Sequence, residues 1–513
     1  MLPTDIIEIS SIIGSLRNTG NSLFDISVSC LKNNNWVFSE HMTFLYNFSI
    51  ETECFPDILK IARLVSGHKS GPQDIIDNYR PISNLPSMSK IFEKLTLKRF
   101  NAFVESHSLI SESQFGFQRG RNITQAAIKL TTLIIRAYHD KMYSACFFLD
   151  LRKAFDTVDH AILLGKLNHI GFRGNSNRYM SSYLTNRKQY LMVNGIKSNE
   201  RMITKGVPQG SILGPLLFCL YINDIVHAVE CDVVLFADDA AFILTAPSLP
   251  LLYQKIRKLF TDLNKYLEMN KLVPNLRKSK LMYFTSRPPP ERLENLMFGN
   301  TAIDWIIEIK YLGLNLNNKM SFSTHIDRTV SQISRYTGVF YQLSKTVPQC
   351  ILRLLYSSFI LPHLTLHIVI WGASPDFHLN KLIVKQNGLL RAILRVPYDN
   401  GRPLVGTLEL YRSLGVLTLR NLFKLCLFKF LILVLNGSLP FFYNLLLNPL
   451  ISVHGYPTRG GIFRHPLISC EVERRSVAYQ LVLLFEEVNA DMYENVSVHT
   501  ASFKYKKHLM LTQ

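Results

Sequence analysis

Residues 231–246 read CDVVLFADDAAFILTA, and this stretch decides the fold. Two apolar runs, residues 233–236 and 240–244, flank the adjacent Asp238 and Asp239. Short runs rich in Val, Ile and Phe are typical of buried strands, in which aspartate is rare. We therefore predict a two-stranded hairpin with the acidic pair at its tip. Taken alone, the pair is explained more simply as a polar turn between two core strands.

A metal site at this tip needs a third carboxylate, and residues 144–156, SACFFLDLRKAFD, contain a candidate. The apolar run ends on Asp150, and a turn with an amphipathic helix follows it. We expect Asp150 to lie where a buried strand emerges from the sheet. A lone aspartate at a strand end is usually a helix cap or a turn residue, so this pattern is weak by itself.

The composition describes a folded, basic protein. At 513 residues the chain exceeds one typical core, so about two to four subdomains are expected. Hydrophobic residues make up 47% of the chain and charged residues 19%, which is typical of a globular protein. The formal net charge of +19 favours a polyanionic partner, although charge alone does not separate nucleic acid from a membrane surface.

The spacing of the cysteines and the sequences near the termini indicate in which cellular compartment the protein is expected. The eight cysteines form no C-x-x-C pair, so we expect no zinc knuckle, no disulfide framework and a reducing environment. The first ten residues lack the basic start of a signal peptide, and no long apolar core follows. The most apolar C-terminal stretch, residues 422–435, is too short to span a bilayer. We expect an intracellular protein, in the nucleus, the cytoplasm or both.

Two glycine-bearing loops have the composition of nucleic-acid contacts. Residues 113–121, SQFGFQRGR, combine rings that stack on bases with arginines that bind phosphates; a tight turn around a packed Phe is the alternative. Residues 206–215, GVPQGSILGP, predict a close turn against which a base pair can lie; a plain helix start is the alternative. Lys69 and Arg80 are cations on loops or strand ends and not on a helical face. Lys278 lies on a basic loop just before a strand, where a solvated side chain is the alternative.

Seven stretches, taken in order, resemble the reverse transcriptases of non-LTR (LINE-type) retrotransposons, nearest to those of jockey-like elements. The resemblance runs from about residue 55 to 371, and it is specific because the motifs keep the order and plausible spacing of the family. The motifs are YRPIS at 79–83, FGFQRGR at 115–121, LDLRKAFDTVDH at 149–160, GVPQGSILGPLLF at 206–218, FADD at 236–239, NLRKSK at 275–280 and YLG at 311–313.

Some segments depart from the family pattern. The usual glycine-rich segment appears only as NTGNSLFDI at 18–26, and Ser66-Gly67 stands where a proline-containing segment is expected. Three prolines at 288–290 predict a loop. We find no ribonuclease H carboxylate set in the C-terminal region and expect any endonuclease to lie outside this chain, which then is a fragment, a decayed copy or a host gene derived from such an element.

The resemblance implies an α+β fold, the right-hand polymerase of fingers, palm and thumb, with an antiparallel palm sheet backed by helices and a mostly helical C-terminal region. The expected division is an N-terminal extension at 1–54, fingers and palm at 55–315, a helical thumb-like region at 316–400, and a C-terminal region of unknown role at 401–513.

The resemblance also implies that Asp150, Asp238 and Asp239 converge and bind two divalent ions, normally Mg²⁺, with Mn²⁺ as a substitute. Mg²⁺ is a hard ion that prefers carboxylate and phosphate oxygens. Two ions about 3.5–4 Å apart activate a primer 3′-hydroxyl and stabilise the leaving pyrophosphate in an in-line displacement. Within the acidic pair, Asp239 is expected to support structure as much as metal binding.

Other roles follow from the resemblance, position by position. Phe155 matches the bulky residue that blocks a ribose 2′-hydroxyl, and Gln209 and Gly210 match the turn beside the nascent base pair. Two further roles concern phosphate groups. Lys69 and Arg80 match cations of the fingers that hold the triphosphate, and Lys278 matches a lysine that protonates the leaving pyrophosphate.

The expected function is that of an RNA-directed DNA polymerase, a nucleotidyltransferase that extends a primer 3′-hydroxyl on an RNA template. Its expected partners are the RNA template, a DNA primer or target and deoxynucleoside triphosphates, with no membrane. The alternative is a catalytically inactive retrotransposon remnant that only binds nucleic acid. Metal-dependent primer extension separates the two.

Overall fold

The computed structural model describes residues 1–17, 26–69, 71–193, 195–284, 293–399, 402–403, 405–447, 463, 468, 470–488, 492 and 497–512. Most of the glycine-bearing segment at 18–26 and the three prolines at 288–290 lie outside these residues. The strands are β1 Ile61–His68, β2 Tyr79–Asn84, β3 Tyr143–Leu149, β4 Arg187–Val193, β5 Ile196–Lys197, β6 Arg201–Ile203, β7 Asp232–Phe236, β8 Asp239–Ala246, β9 Lys280–Phe284, β10 Leu296–Phe298, β11 Thr301–Ile303, β12 Trp305–Ile306, β13 Glu308–Tyr311, β14 Leu314–Asn317, β15 Tyr398–Asp399 and β16 Arg402–Pro403.

The helices outnumber the strands, especially towards the C-terminus. They are α1 Ile6–Ser15, α2 Val28–Asn33, α3 Asn35–Glu51, α4 Ser87–Ser106, α5 Ile123–His139, α6 Ala154–Thr157, α7 His160–His169, α8 Asn175–Leu184, α9 Gly214–Ile222, α10 Leu249–Met269, α11 Ser323–Leu343, α12 Gln349–Leu355, α13 Leu361–Thr365, α14 Ile368–Trp371, α15 Asp376–Leu394, α16 Thr407–Leu414, α17 Leu419–Leu435, α18 Glu471–Arg474, α19 Val477–Glu487 and α20 Val498–Thr512.

The central sheet has five strands in the order β12-β9-β3-β8-β7. The pairs β3–β8, β3–β9 and β7–β8 are antiparallel, and only the two-residue strand β12 pairs in parallel, with β9. Both faces of the sheet are covered, since α5 packs on one face and α10 on the other. Alternate residues of β3 therefore enter two different cores: Cys146 and Phe148 on the α5 side, Phe147 and Leu149 on the α10 side. This double burial is why the strands are apolar without interruption.

A second sheet is built from strands that precede and follow β3 in the chain. Its strands run β2-β1-β4-β5, and β6 pairs with the free part of β4. β1 and β2 are antiparallel neighbours, with Gly67 opposite Arg80 and His68 opposite Tyr79, while β1 and β4 are parallel. This sheet carries the first two predicted cations, Lys69 directly after β1 and Arg80 as the second residue of β2.

The N-terminal helices pack on α4 and α8. The buried ring of Phe55 contacts Phe92 of α4 and both Tyr179 and Tyr183 of α8 edge-on, with ring centroids 5.1–5.9 Å apart. Glu8 of α1 joins this region to α4 through side-chain contacts. Its carboxylate accepts hydrogen bonds from Arg99 at 2.7 Å, from Lys98 at 2.7 Å and from Thr4 at 2.6 Å.

These contacts predict how stability changes with pH. Burial by itself raises the pKa of Glu8, but the hydrogen bonds from Arg99, Lys98 and Thr4 outweigh it and lower the pKa to about 2. A carboxyl whose pKa is lowered on folding stabilises the folded state above its unfolded pKa, near 4.5, and that stabilisation is lost as pH falls through about 2. We expect Glu8→Gln to lower the free energy of unfolding at pH 7 by about 1–2 kcal/mol.

The measurement is urea unfolding of the parent and Glu8→Gln between pH 7 and pH 2. Glu40→Gln, an exposed position on α3, is the control and should leave stability unchanged at every pH. A stability difference for Glu8→Gln that does not shrink as the pH approaches 2 would contradict the assignment.

The C-terminal third is helical and packs back on the central sheet. α11 and α15 lie together, and α17 contacts α14, α19 and α20. The link to the sheet passes through α5: the buried hydroxyl of Tyr443 donates to the carbonyl of Gln125 at 2.7 Å, and its ring contacts Phe115. One hydrophobic core therefore runs from β3 to the helices after residue 400.

The predicted α+β fold, with a mainly antiparallel sheet backed by helices and a helical C-terminal region, is confirmed. β12 is the one departure, since it adds a parallel edge to the sheet. The division of the chain at residues 54, 315 and 400 stays a prediction. Within the parts of the chain that the structure covers, no helix combines the length and the apolar character needed to cross a bilayer.

Candidate active site

The acidic pair lies at the tip of the β7–β8 hairpin, as predicted. Phe236 pairs with Asp239, so the connection contains only Ala237 and Asp238. Ala237 is buried and has a φ of 57°, in the left-handed region that residues other than glycine rarely adopt. A turn of this kind costs conformational energy and persists only when its surroundings hold it.

The third carboxylate comes from the neighbouring strand. The last pair of the β3–β8 ladder is Leu149 with Ala240, and the register continued by one residue sets Asp150 against Asp239. The three carboxylates therefore emerge from adjacent strands at the same end of the sheet. Asp150 and Asp238 are half-buried, while Asp239 is exposed.

The carboxylates influence one another's ionisation. The pKa of Asp238 is raised, first by burial and then by the charge of Asp150. The charges of Arg80 and Lys69 lower it, but they do not outweigh these two effects. Although the residue as a whole is exposed, partial desolvation of its carboxyl group, followed by the charges of Asp238 and Asp150, raises the pKa of Asp239 to about 6. Like charges gathered in a partly buried patch disfavour the ionised form unless a cation compensates them. The patch therefore favours a bound cation.

The donor set fits a hard divalent ion, because every candidate ligand is a carboxylate oxygen. The side chains do not form a closed cage, however. In the part of the chain that the structure describes, no three or more His, Cys, Asp or Glu side chains come together closely enough to hold a metal ion. Phosphate oxygens of a substrate and water usually complete magnesium sites that have few protein ligands, so an open carboxylate set is compatible with this ion.

Asp150 is held by a residue that the sequence did not single out. Asn275 donates from Nδ2 to Oδ2 of Asp150 at 2.8 Å, and its backbone N–H donates to the Asp150 carbonyl at 2.7 Å. The backbone N–H of Asp150 donates to Oγ of Ser279 at 3.2 Å. Asn275 thus orients one carboxylate oxygen and leaves the other available. The signal in the sequence is its place at the start of NLRKSK, three residues before Lys278.

Lys278 lies on a loop before β9, as predicted. The β3–β9 ladder ends where Phe148 pairs with Lys280, and the next contact joins Leu151 to Pro274. The chain between these pairings forms a turn, on which Lys278 is exposed and, among the described residues, makes no ion pair. Asn275, rather than Lys278, contacts Asp150.

The cations of the second sheet lie within electrostatic range of the acidic hairpin. Lys69 and Arg80 are exposed, and the backbone N–H of Lys69 donates to the carbonyl of Asn78 at 2.8 Å, which ties the end of β1 to β2. Both charges act on Asp238, and that of Lys69 also acts on Asp239. The structure therefore brings these two predicted cations and the three carboxylates into one electrostatic neighbourhood.

Phe155 is fixed by its neighbours. Its ring stacks on the buried ring of Phe218 with centroids 4.7 Å apart, and the exposed Phe117 meets it edge-on at 6.2 Å. Its carbonyl accepts from the backbone N–H of Val207 at 2.8 Å, which joins the turn after Asp150 to the GVPQG segment. A ring held on two sides has little freedom to move away from a ligand.

Gln209 and Gly210 lie against the second sheet. The carbonyl of Gln209 accepts from the backbone N–H of Ser83 at 2.7 Å, and its side chain donates to Oδ1 of Asp156 at 2.9 Å. Gly210 has a φ of 117°, and a Cβ there would lie 2.6 Å from the Ser83 carbonyl oxygen. Only glycine fits this approach. Asp156, which the sequence did not single out, therefore positions Gln209.

The loop at 113–121 is built differently from the prediction. Phe115 is 1% exposed and packs in the core beneath Arg121, which donates to backbone carbonyls at Ser111 and Gln114. The alternative of a turn around a packed Phe is therefore correct for Phe115. Phe117 and Arg119 remain exposed and are available for a ligand.

Comparison with known proteins shows which family the chain resembles. Residues 68–316 match the family described as reverse transcriptase (RNA-dependent DNA polymerase). A probable RNA-directed DNA polymerase from transposon BS of Drosophila melanogaster is 28% identical over 70% of this chain and 41% of its own length. The polymerase from mobile element jockey of the same fly is 28% identical over 70% and 40%, and the probable one from transposon X-element is 29% identical over 69% and 40%. The chain thus spans about two fifths of the length of these relatives.

Proposed function

We propose that the chain is an RNA-directed DNA polymerase of the jockey-like, non-LTR type, because residues 68–316 match the reverse transcriptase family and the relatives that share 28–29% identity are polymerases of such elements. It would extend a primer 3′-hydroxyl on an RNA template, using deoxynucleoside triphosphates and releasing pyrophosphate. The 3′-oxygen forms a bond to the α-phosphorus, and the bond from that phosphorus to the bridging oxygen breaks.

One observation carries the proposal. Asp150, Asp238 and Asp239 emerge at one end of the central sheet, and Lys69 and Arg80 of the second sheet act on the same patch. An acidic patch beside a basic one suits a substrate that is itself a polyphosphate with bound cations. An ordinary polar turn would have no need of cations from a separate sheet.

The family uses divalent metal ions, and we propose that this chain takes two Mg²⁺ ions, with Mn²⁺ as a substitute. Asp150 and Asp238 would hold them, with Asp239 contributing to binding and to the structure of the turn. Bound ions of this kind activate the attacking hydroxyl and offset charge on the leaving group. Asn275 would keep Oδ2 of Asp150 fixed, so that this ligand does not swing away between turnovers.

The remaining residues would bind and orient the substrates. Lys69 and Arg80 would hold the triphosphate, since both are exposed and close enough to influence the acidic pair. Gln209 and Gly210 would support the nascent base pair, because the turn they form is clamped between Ser83 and Asp156. Lys278 would donate a proton to pyrophosphate, which requires its turn to move towards the substrate.

Phe155 gives a prediction about the choice of sugar. Its ring is fixed against Phe218, so it cannot yield to a 2′-hydroxyl. We expect Phe155→Val to increase incorporation of ribonucleotides relative to deoxyribonucleotides by about 10- to 100-fold, the range typical when a pocket gains space for a small group. The measurement is the ratio of kcat/KM for a ribonucleoside and a deoxyribonucleoside triphosphate on one primer–template.

Phe44→Val is the matched control, because that ring is 69% exposed on α3 and stacks on Phe48 of the same helix. It should change the ratio much less. An unchanged ratio in Phe155→Val, with full extension by deoxynucleotides, would remove Phe155 from the selection of the sugar.

The proposed function is tested by primer extension on a ribonucleotide template with Mg²⁺. Extension that stops on chelation of the metal supports the polymerase. Salt-sensitive RNA binding without extension would instead favour the nucleic-acid-binding remnant.

A further inference from the structure

Gln114 stands out as a completely buried polar residue on a loop. It is 0% exposed and lies between α4 and α5, far in sequence from the acidic hairpin. Its Oε1 accepts two backbone hydrogen bonds, from Gly116 at 2.8 Å and from Ala237 at 3.0 Å. Both partners are N–H donors, so the amide must present its oxygen to them. Gln114 therefore contacts the turn that carries the acidic pair.

The backbone around Gln114 is joined to the same hairpin. The N–H of Phe115 donates to the carbonyl of Leu235, and the N–H of Leu235 donates to the carbonyl of Ser113, both at 2.8 Å. Gln114 and Leu235 form a parallel bridge, so the loop extends the sheet beyond β7. Gly116 allows a very close approach, because a Cβ there would lie 2.3 Å from the backbone nitrogen of Ala237.

The turn needs such support for two reasons. Ala237 has a left-handed backbone, which is unfavourable for alanine, and it is buried, so its N–H has no access to bulk water. In addition, Asp238 and Asp239 repel each other and Asp150 when no cation is bound. A turn that is both strained and charged would relax unless a fixed acceptor held it.

We propose that Gln114 is a positioning residue, whose side-chain oxygen holds Ala237 in its left-handed conformation and so fixes the direction in which Asp238 and Asp239 are presented. The consequence for catalysis rests on the proposed polymerase function; the consequence for the turn does not. Gln114 touches neither substrate nor metal ligand side chains, and it acts through the backbone of Ala237.

Substitutions of Gln114 can separate the effect of its hydrogen-bond acceptor from the effect of its side-chain volume. Nε2 of Gln114 is buried and has no hydrogen-bond partner within the described part of the chain, so only the oxygen is used. Gln114→Met keeps the length and removes the acceptor. Gln114→Glu keeps an acceptor in the same place, whether or not it is ionised. Gln118→Met is the same change four residues along, where the side chain is only partly buried and donates to the carbonyl of Gly116 at 3.4 Å.

The test is amide hydrogen exchange at Ala237, followed in the parent and the three variants. We expect Gln114→Met to speed exchange by roughly 10-fold, as expected for loss of one ordinary hydrogen bond, while β3 stays protected. Gln114→Glu and Gln118→Met should leave exchange at Ala237 near that of the parent. In primer extension, Gln114→Met should lower kcat and leave RNA binding unchanged.

The outcomes distinguish the two proposals. Unchanged protection of Ala237 in Gln114→Met would overturn the positioning role, whether or not the parent polymerises. If Gln114→Met does not fold, Gln114→Glu decides, because loss of protection in that variant would equally overturn the role. The expected exchange pattern in a parent that fails to extend primers would support the positioning of the turn and overturn the polymerase proposal alone.

Discussion

Asp150→Asn is expected to abolish primer extension, with a fall of at least about 10³-fold, equivalent to about 4 kcal/mol of transition-state stabilisation. Asparagine keeps the shape of the side chain and can still accept the hydrogen bond from Asn275, so the fold should be unchanged. Only the charge is lost. Since the charge of Asp150 raises the pKa of both neighbouring aspartates, its removal relieves repulsion. The free energy of unfolding at pH 7 should therefore stay the same or increase.

The prediction is checked by kcat/KM for primer extension together with urea unfolding of the same preparation. Asp232→Asn is the control, because Asp232 is exposed at the opposite end of β7. It should retain the parent's activity. Loss of both activity and stability in Asp150→Asn would indicate a structural carboxylate and not a ligand.

Gly116→Ala is expected to be the most destabilising small substitution near the site. The added Cβ would lie 2.3 Å from the nitrogen of Ala237 and 2.9 Å from the carbonyl carbon of Phe236. Both atoms belong to the backbone and cannot rotate away, so the loop must separate from the hairpin. Separation breaks the bond from Phe115 to Leu235 and those accepted by Gln114. We expect a loss of about 3 kcal/mol or more in the free energy of unfolding.

Gly165→Ala is the matched control for this substitution. Gly165 lies in α7, where a Cβ would meet nothing within 4 Å, so alanine should stabilise the protein by up to about 1 kcal/mol. Urea unfolding measures both variants. If Gly116→Ala unfolds with the parent's free energy, the loop and the hairpin are not in contact in solution, and the positioning of Ala237 by Gln114 also fails.

The position of the carboxylates could be predicted because it depends on local patterns. Apolar runs of strand length, broken by two aspartates, require a hairpin with the pair at its tip. The run that ends on Asp150 requires the third carboxylate to emerge from a strand end. That these strands pair was implied only by the resemblance to the family, and the register of β3 with β8 then sets Asp150 opposite Asp239.

The supporting contacts could not be predicted in this way. Gln114 lies 123 residues before Ala237, and Asn275 lies 125 residues after Asp150. Such contacts depend on how separate segments of the chain pack together. The periodicity of a single sequence does not predict that packing. Phe115 illustrates the same limit, since an aromatic residue beside arginines suits a core and a base-binding surface equally well.

Lys278 shows a further limit of spacing arguments. The register of β3 with β9, continued by two residues, would set Lys278 beside Asp150. Strand β9 instead begins at Lys280, and the turn that precedes it carries Lys278 to the surface. Asn275 lies beside Asp150 in its place. The role of Lys278 as a general acid stays a prediction.

The most direct measurement is primer extension on a poly-ribonucleotide template with Mg²⁺, comparing the parent with Asp238→Ala. We predict extension by the parent, none by the variant, and none by either after chelation of the metal. Equal extension by both proteins would contradict the assignment of the acidic hairpin. Salt-sensitive RNA binding by both without extension by either would contradict the polymerase itself.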